Sequence, residues 1–292
     1  MSTYSIKDLE QISGIKAHTI RIWEQRYKFL QPSRTETNIR TYSAVELKTI
    51  LNVSFLNKYG FKISHIDKMS PDQMEEKILT INQMDAQKER VVNNLIKDMV
   101  SLNMPAFEQQ LDNYIGQKGI EKTIVEIIFS FLERVGILWM TNHINPAQEH
   151  LATNILRQKI IYGIEKLAPV HKYTKRVALF LPEAEYHELG ILYVHFLLKQ
   201  NGVYVDYLGT NIPMGDLDYL VRKTSPNYVF CHITSPAKKF KLDKFLEGLS
   251  QINKNSPVIL SGQIVRDYKG QVAPNISIKR SLPETIQFMN TI

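Results

Sequence analysis

The spacing of hydrophobic positions changes along the chain and divides it into three segments. Up to about residue 74, apolar residues recur three and four positions apart in short stretches, which predicts short amphipathic helices. Between about residues 75 and 172 the same spacing continues over longer stretches. From about residue 173, short apolar runs rich in β-branched residues alternate with helical patterns. We therefore predict three domains, at 1–74, 75–172 and 173–292.

The first segment predicts a helix-turn-helix. The stretch "SIKDLEQISG" is typical of a short helix that Ser5 caps and Gly14 ends. After a tight turn, "IKAHTIRIWEQRYKF" continues the helical spacing and places Ile20, Trp23 and Tyr27 on one face. Two helices joined by a turn that contains glycine make up the motif.

A polar loop and a further helix complete this segment. The stretch "LQPSRTETNIRTYS" interrupts the apolar spacing and carries Arg34 and Arg40. The stretch "SAVELKTILNVSFLNKYGF" then predicts an amphipathic helix, with Ser43 as its N-cap and Glu46 as the capping-box partner.

The second segment predicts a bundle of four antiparallel helices. Breaks in the helical pattern fall at positions 104–105, 116–119 and 142–146, and connections this short favour antiparallel neighbours. Asn145 is the predicted N-cap of the last helix, and Gln148 can close a capping box with it.

The third segment predicts an α/β domain. Its five apolar runs are "RVALFL", "VYVDYLG", "YVFCHIT", "PVILSG" and "ISIKR". Helical patterns lie between most of these runs, and "LPETIQFMNTI" predicts a final helix. Such alternation predicts a five-stranded, doubly wound parallel sheet of the Rossmann or flavodoxin type, which binds ligands at the carboxyl ends of its strands.

The net charge is concentrated near the N-terminus. The 292-residue chain carries +7 in all, and residues 1–70 alone carry +5, from 7 Lys and 4 Arg against 6 Asp and Glu. A small basic module on a near-neutral body indicates a nucleic-acid contact at one end. A solvated charged surface is the alternative that charge alone leaves open.

Other classes of protein fit the composition poorly. The single cysteine, Cys231, excludes an internal disulfide framework and a zinc cluster built on cysteines. The longest apolar runs are too short to span a bilayer, and the N-terminus lacks the apolar core of a secretion signal. We therefore expect a cytoplasmic protein without membrane contacts.

The stretch "EAEYHELGILY" carries the candidate ligand-binding chemistry. His187 comes just after the first predicted strand, Glu185 can orient its imidazole, and Gly190 can let the following helix approach a bulky group. Taken alone, a loop histidine beside an acid is more often exposed and without a ligand.

The first 70 residues or so resemble the winged-helix DNA-binding domain of the MerR family. The markers are "IKDL", "SGI", "TIRIWEQRY", "PSR" and "TYS", in that order. The resemblance implies contacts with bases or phosphates from the second helix and from a wing formed by the polar loop. The expected DNA contacts are His18, Thr19, Arg21, Arg26, Tyr27, Arg34, Asn38, Arg40 and Tyr42.

Three aromatic or acidic residues of this region have structural alternatives. Trp23 is better explained as a core residue, because apolar neighbours surround it at helical spacing. Glu24 would repel phosphate, which favours a structural role. Tyr42 can equally pack beneath the wing.

The rest of the chain resembles the cobalamin-binding module of methyltransferases, mutases and the CarH/LitR class of light-responsive, adenosylcobalamin-dependent regulators. Residues 185–190 match the histidine loop, acid-x-His-x-x-Gly, which implies that His187 is the lower axial ligand of cobalt. Trp139, followed after nine residues by Glu149 and His150, matches the helical part. In that class, this tryptophan and glutamate approach the upper face of the cofactor.

Three positions depart from the pattern of this module. His232 stands where the third strand usually carries a serine, with Thr234 beyond it, and Gly262 is followed by Gln263 instead of a second glycine. Met140 stands where light-sensing members have a histidine. The departures on the third strand and in the fourth-strand loop imply weakened, altered or lost cobalamin binding. Met140 removes the histidine with which light-sensing members form a photoproduct ligated by two histidines. The implied cofactor contacts are Trp139, Glu149, His150, Glu185, His187, Gly190, Thr234 and Gly262.

We therefore expect a transcriptional regulator and not an enzyme. Its expected partners are operator DNA, further copies of itself in a dimer or tetramer, and adenosylcobalamin or another cobalamin, with light as a possible signal. One alternative keeps DNA binding but uses the C-terminal module only for dimerisation or for contact with another regulatory protein.

Two enzymatic alternatives fit the sequence less well. A cobalamin-carrying methyltransferase domain does not explain the winged helix. A zinc enzyme would need ligands from separate predicted elements. Its candidate ligands are His143, His150, His187 and His195.

Overall fold

The computed structural model describes residues 4–81, 84–140, 144–169, 172–173, 175–236, 240–252 and 256–292. The chain divides into two compact units, Met1–Ile155 and Leu156–Ile292. The finer division into three domains stays a prediction.

In its described residues, the first unit is helical apart from one short ribbon. Its helices are α1 (Ile6–Ser13), α2 (Ala17–Arg26), α3 (Ala44–Lys58), α4 (Ile63–Ile66), α5 (Pro71–Leu79), α6 (Met84–Val100), α7 (Met104–Lys118), α8 (Ile120–Thr123) and α9 (Phe129–Met140). The ribbon pairs β1 (Ser33–Arg34) with β2 (Arg40–Thr41) in antiparallel fashion. Helix α10 (Pro146–Lys166) begins in the first unit and ends in the second.

Helix capping fixes the ends of α1 and α3 as predicted. Ser5 accepts a hydrogen bond from the backbone N–H of Asp8 and closes a capping box, and Gly14 ends α1 with a φ of 73°. Ser43 and Glu46 form the same box at α3. The helix α2 ends earlier than predicted, at Arg26, because the backbone of Tyr27 is already extended.

The longer helices of the first unit pack through aromatic and aliphatic side chains. Phe107 of α7 meets Phe131 of α9 edge to face, with ring centroids 5.3 Å apart. At the start of α10, Gln148 Oε1 accepts from the backbone N–H of Asn145 as predicted, whereas Asn145 Oδ1 accepts from the backbone N–H of Ala147 and not from that of Gln148. A π-helical turn, Ile124–Ile128, joins α8 to α9 and is absent from the sequence prediction.

The second unit is built on a five-stranded parallel sheet. Its strands are β3 (Arg176–Pro182), β4 (Tyr204–Ile212), β5 (Tyr228–His232), β6 (Val258–Ser261) and β7 (Ile276–Ile278). The helices after α10 are α11 (Leu189–Gln200), α12 (Met214–Thr224), α13 (Leu242–Gln251), α14 (Gln263–Arg266) and α15 (Leu282–Met289). The strand order β4-β3-β5-β6-β7 confirms the doubly wound fold.

The sheet topology positions the candidate site. The chain reverses its direction of winding at β3, so the crevice for a ligand lies at the carboxyl ends of β3 and β5. The strands beneath this edge are buried, and Val177, Leu179, Val229 and Leu260 are fully inaccessible. At the opposite end, Arg176 makes a bidentate ion pair with Asp206 at 2.6 and 2.8 Å.

Lys97 of α6 is the buried cation from which we predict a pH effect on stability. Its Nζ donates to Asn52 at 2.8 Å, and burial lowers the pKa of Lys97 to about 8. The unfolded chain therefore binds this proton more tightly than the folded chain between about pH 8 and 10.5. The contribution of Lys97 to the free energy of unfolding therefore increases as the pH rises from about 8 to about 10.5.

Lys97→Met removes the titrating group. The unfolding free energy of the native chain should rise by about 1–2 kcal/mol relative to that of Lys97→Met as the pH rises from about 7.5 to about 9.5. Urea unfolding at each pH measures this difference, and parallel pH profiles for the two proteins would contradict the assignment.

Candidate functional site

The helix α2 separates apolar and polar faces. Ile20 and Trp23 are buried, as predicted for Trp23, whereas His18 and Arg21 are exposed and Thr19 is half-buried. The exposed side chains come from the first turns of the helix, which is the part that enters the major groove in helix-turn-helix proteins.

Glu24 organises the base of the wing. It accepts a hydrogen bond from Arg40 Nε at 2.7 Å and another from the hydroxyl of Tyr42. Tyr42 is completely buried, and burial, followed by the Glu24 hydrogen bond, raises its pKa. This geometry removes Tyr42 from the expected DNA contacts, because a buried ring that supports the wing cannot reach a phosphate. It supports the structural role predicted for Glu24.

The tip of the wing is a short exposed turn. Thr35 N–H donates to the carbonyl of Ile39, and Asn38 adopts a φ of 61°. Arg34 Nη1 donates to Asn38 Oδ1 at 2.7 Å, and both side chains are exposed. The tip therefore presents a guanidinium group that is held in place on one side.

The two residues at the end of α2 differ in exposure. Arg26 is exposed, whereas Tyr27 is partly buried and stacks on Phe29 with ring centroids 5.9 Å apart. Arg26 is thus the more accessible of these two expected contacts.

At the other candidate site, the loop after β3 is fixed by Asn211. Asn211 Oδ1 accepts a hydrogen bond from the backbone N–H of Ala184 at 2.8 Å. The backbone N–H of Asn211 donates to the carbonyl oxygen of Glu185 at 3.2 Å. Ala184 and Asn211 both have a positive φ, of 63° and 58°. The end of β4 thereby determines the path of the loop that carries His187.

Glu185 is the buried centre of this loop. One carboxylate oxygen accepts from the backbone N–H groups of Tyr186 and His187 at 2.9 Å, and from His187 Nδ1 at 2.6 Å. The other accepts from the N–H groups of Thr234 and Ser235, both at 2.8 Å. Burial alone would raise the pKa of Glu185, but hydrogen bonds from His187 and Ser235 outweigh it and lower the pKa to about 2.

The ionised carboxylate selects one tautomer of His187. Because Nδ1 donates to Glu185, the lone pair lies on Nε2, as in histidines that bind metals. The imidazole is 56% exposed, whereas Glu185 is fully buried. The sequence therefore identified both members of this pair, and the structure brings them into contact.

Behind the loop, His232 lies against Gly190. A Cβ on Gly190 would sit only 2.6 Å from His232 Nε2, so the imidazole occupies the space beside the glycine. His232 Nδ1 makes a 2.7 Å hydrogen bond with Ser261 Oγ, and burial lowers the pKa of His232 to about 4. At the next strand, Gly262 has a φ of 105° and packs directly on the carbonyl of Ile233.

The residues of the second unit thus fit cobalamin in one respect and not in another. His187 presents a nitrogen suited to cobalt, supported by a buried carboxylate. The imidazole of His232 occupies the space beside Gly190, so a bulky pendant base that entered there would have to displace it.

The remaining predicted cofactor contacts lie in the first unit. Trp139 at the end of α9 is 44% exposed, which is unusual for so large an apolar side chain. Glu149 and His150 are adjacent on α10 and pair through Oε2 and Nδ1 at 3.1 Å. The side chain of Met140 and the whole of His143 lie outside the described residues.

One group of residues was not predicted from the sequence. Glu188 accepts hydrogen bonds from Arg157 Nε and, at 2.8 Å, from the hydroxyl of Tyr207. Burial, followed by the bond to Glu188, raises the pKa of Tyr207. The acid one position after His187 was the available signal, but its partners are distant in sequence.

Other sites find no support in the described residues. Across those parts of the chain, His, Cys, Asp and Glu side chains form no group of three or more able to hold a metal ion. Among the same residues, none of the helices is both long and apolar enough to cross a membrane.

Comparison with known proteins supports both a helix-turn-helix region and a cobalamin-binding type of module. Residues 4–73 match the MerR HTH family of regulatory proteins, and residues 91–162 match the B12 binding domain. The HTH-type transcriptional repressors CarH and CarA of Myxococcus xanthus are 26% and 24% identical to this chain. Each alignment covers 91% of the chain, and they cover 91% and 88% of the two repressors.

A solved structure shows the same fold. The monomethylamine corrinoid protein of Methanosarcina barkeri aligns with a TM-score of 0.57 and 13% identity, over 70% of this chain and all of that one. The chain therefore combines a helix-turn-helix region of the MerR type with a fold like that of this corrinoid protein. Over most of its length it is similar to the transcriptional repressors CarH and CarA.

Glu185→Gln tests the role of the buried carboxylate. The amide nitrogen of glutamine would meet N–H donors where an oxygen now accepts, so we expect a loss of about 2–4 kcal/mol in unfolding free energy. Chemical unfolding of the native chain, Glu185→Gln and the exposed control Glu183→Gln measures it. Equal stability of all three proteins would contradict the contacts described.

Proposed function

We propose that this protein is a DNA-binding transcriptional regulator whose C-terminal module binds a corrinoid through His187. The observation that carries the proposal is the buried Glu185, which holds His187 at the carboxyl edge of the sheet in a chain that begins with a winged helix. The proposed form is a corrinoid that carries an adenosyl group, as adenosylcobalamin does, and its loss in light is the proposed signal.

DNA binding is proposed for the exposed face of α2 and the wing. His18, Thr19, Arg21 and Arg26 belong to α2, and Arg34, with Asn38, forms the wing tip. Arg40 is partly buried and paired with Glu24, so its main contribution is to hold the wing in position. Guanidinium groups at both places can contact phosphates on one duplex.

Cofactor binding is proposed for the loop and the strand ends of the second unit. When bound, adenosylcobalamin supplies a cobalt–carbon bond that light can break. His187 would hold the metal through Nε2, and Glu185 keeps that imidazole in one orientation and tautomer. Thr234 and Gly262 stay proposed contacts, as do Trp139, Glu149 and His150 of the first unit.

The regulatory effect is proposed to be a change in self-association. A cofactor shifts the equilibrium between assembled and separate chains only by its difference in affinity for the two states. Assembly of several winged helices increases operator affinity, because each chain adds phosphate contacts. Dimers and tetramers are both compatible with this proposal.

The packing of His232 favours a second candidate function. A module whose crevice is filled by its own side chain can serve for dimerisation or for contact with another regulatory protein without any cofactor. In that case His187→Ala would leave operator binding unchanged under every condition, with or without cobalamin.

The proposed DNA contacts predict a change in salt dependence. Binding of a random-sequence duplex is measured at several KCl concentrations for the native chain, Arg21→Gln, Arg34→Gln and the exposed control Lys223→Gln. Each of the two arginine variants should lower the slope of log affinity against log salt by about 1. The control should keep the native slope. Native slopes for both arginine variants would contradict the assignment.

The proposed cobalt ligand predicts a spectroscopic difference. Native protein mixed with a corrinoid in the dark and then desalted should retain colour, with the absorption spectrum of a histidine-ligated corrinoid. His187→Ala should lose that spectrum, and His65→Ala, a change at an exposed histidine of the DNA-binding region, should not. A colourless native protein of unchanged size would overturn the cofactor part of the proposal.

A further inference from the structure

His232 closes the space behind the cobalt-binding loop. His232 is the last residue of β5, the strand that pairs with β3. Its Nε2 lies 2.6 Å from the position that a Cβ of Gly190 would take. Real Cβ atoms essentially never make so close a contact, so a side chain at position 190 would have to displace the imidazole of His232.

The neighbouring strand closes the crevice from the other side. Gly262 packs on the backbone of Ile233, and Ile264 N–H donates to the carbonyl of Ile233 at 3.2 Å. The loop after β6 therefore lies directly against the end of β5. A ligand group that enters here has to displace His232 or move backbone.

His232 is also held in place chemically. Its Nδ1 is hydrogen-bonded to Ser261 Oγ at 2.7 Å, and Ser261 is itself buried. Removing the imidazole would leave the serine hydroxyl without this partner, and an unsatisfied buried hydroxyl is costly. The hydrogen bond to Ser261 therefore stabilises the position in which the imidazole of His232 fills the space beside Gly190.

The chemistry of corrinoids gives this closure a consequence. When a protein histidine takes the lower position on cobalt, the benzimidazole of a complete cobalamin leaves the metal and needs space below the ring. A benzimidazole is larger than the imidazole that fills the crevice. Cobinamide-type corrinoids lack the nucleotide and its base, and need no such space.

We propose that His232 makes this site selective for corrinoids that lack the bulky lower base. The inference rests on the proposed function, because it requires cobalt to bind at His187. Cobinamide-type corrinoids are thus the class of cofactor that the site binds most tightly, and His232 is the residue that determines this preference.

The experiment compares diaquacobinamide with hydroxocobalamin by titration, followed by absorption and calorimetry. The native chain should bind diaquacobinamide at least about tenfold more tightly. His232→Ser should increase the affinity for hydroxocobalamin at least about tenfold and leave that for diaquacobinamide nearly unchanged. His232→Gln keeps a bulky hydrogen-bonding side chain and should keep the native preference.

The outcomes separate this inference from the proposed function. Equal affinities of the native chain for the two corrinoids, with binding lost in His187→Ala, would overturn the selectivity and keep the cobalt ligand. Absence of binding for both corrinoids, in the native chain and in His232→Ser, would overturn the proposed function as well. The native preference is measured without any variant, so the test does not depend on the folding of His232→Ser.

Discussion

The burial of one carboxylate determines the geometry of the α/β unit's ligand-binding edge. Glu185 joins the loop after β3 to the loop after β5, because its two oxygens accept from backbone groups of both. A buried ionised group is stable only when such bonds replace its hydration. The same carboxylate orients His187, so the position of the nitrogen that we propose as the cobalt ligand follows from the hydrogen bonds that stabilise a buried charge.

The winged helix uses a similar arrangement on a smaller scale. Glu24 accepts hydrogen bonds from Arg40 and Tyr42 and so connects α2 to the wing. An acid that would repel phosphate thus positions the two elements that carry the proposed DNA contacts. In both units, an acid organises side chains around it, and the exposed groups it positions carry the proposed binding function.

Much of the fold could be predicted from the sequence, because strong local signals determine it. Capping residues such as Ser43, and the five apolar runs of the sheet, depend on neighbours in sequence. The burial of Tyr42 and the contact of His232 with Gly190 depend on partners far apart in the chain. The pair of Glu185 and His187 was predictable because its members are two residues apart. Its bonds to Thr234 and Ser235 were not.

Ligation of cobalt by His187 is the claim on which the proposed function depends. Electron paramagnetic resonance of the cobalt(II) form of cobinamide, bound to protein labelled with nitrogen-15, tests it directly, since cobinamide has no base of its own. If His187 is the ligand, the spectrum shows the axial splitting of a single nitrogen-15 nucleus, and this splitting is lost in His187→Ala. A spectrum of the bound corrinoid without nitrogen splitting, or one unchanged in His187→Ala, would contradict it.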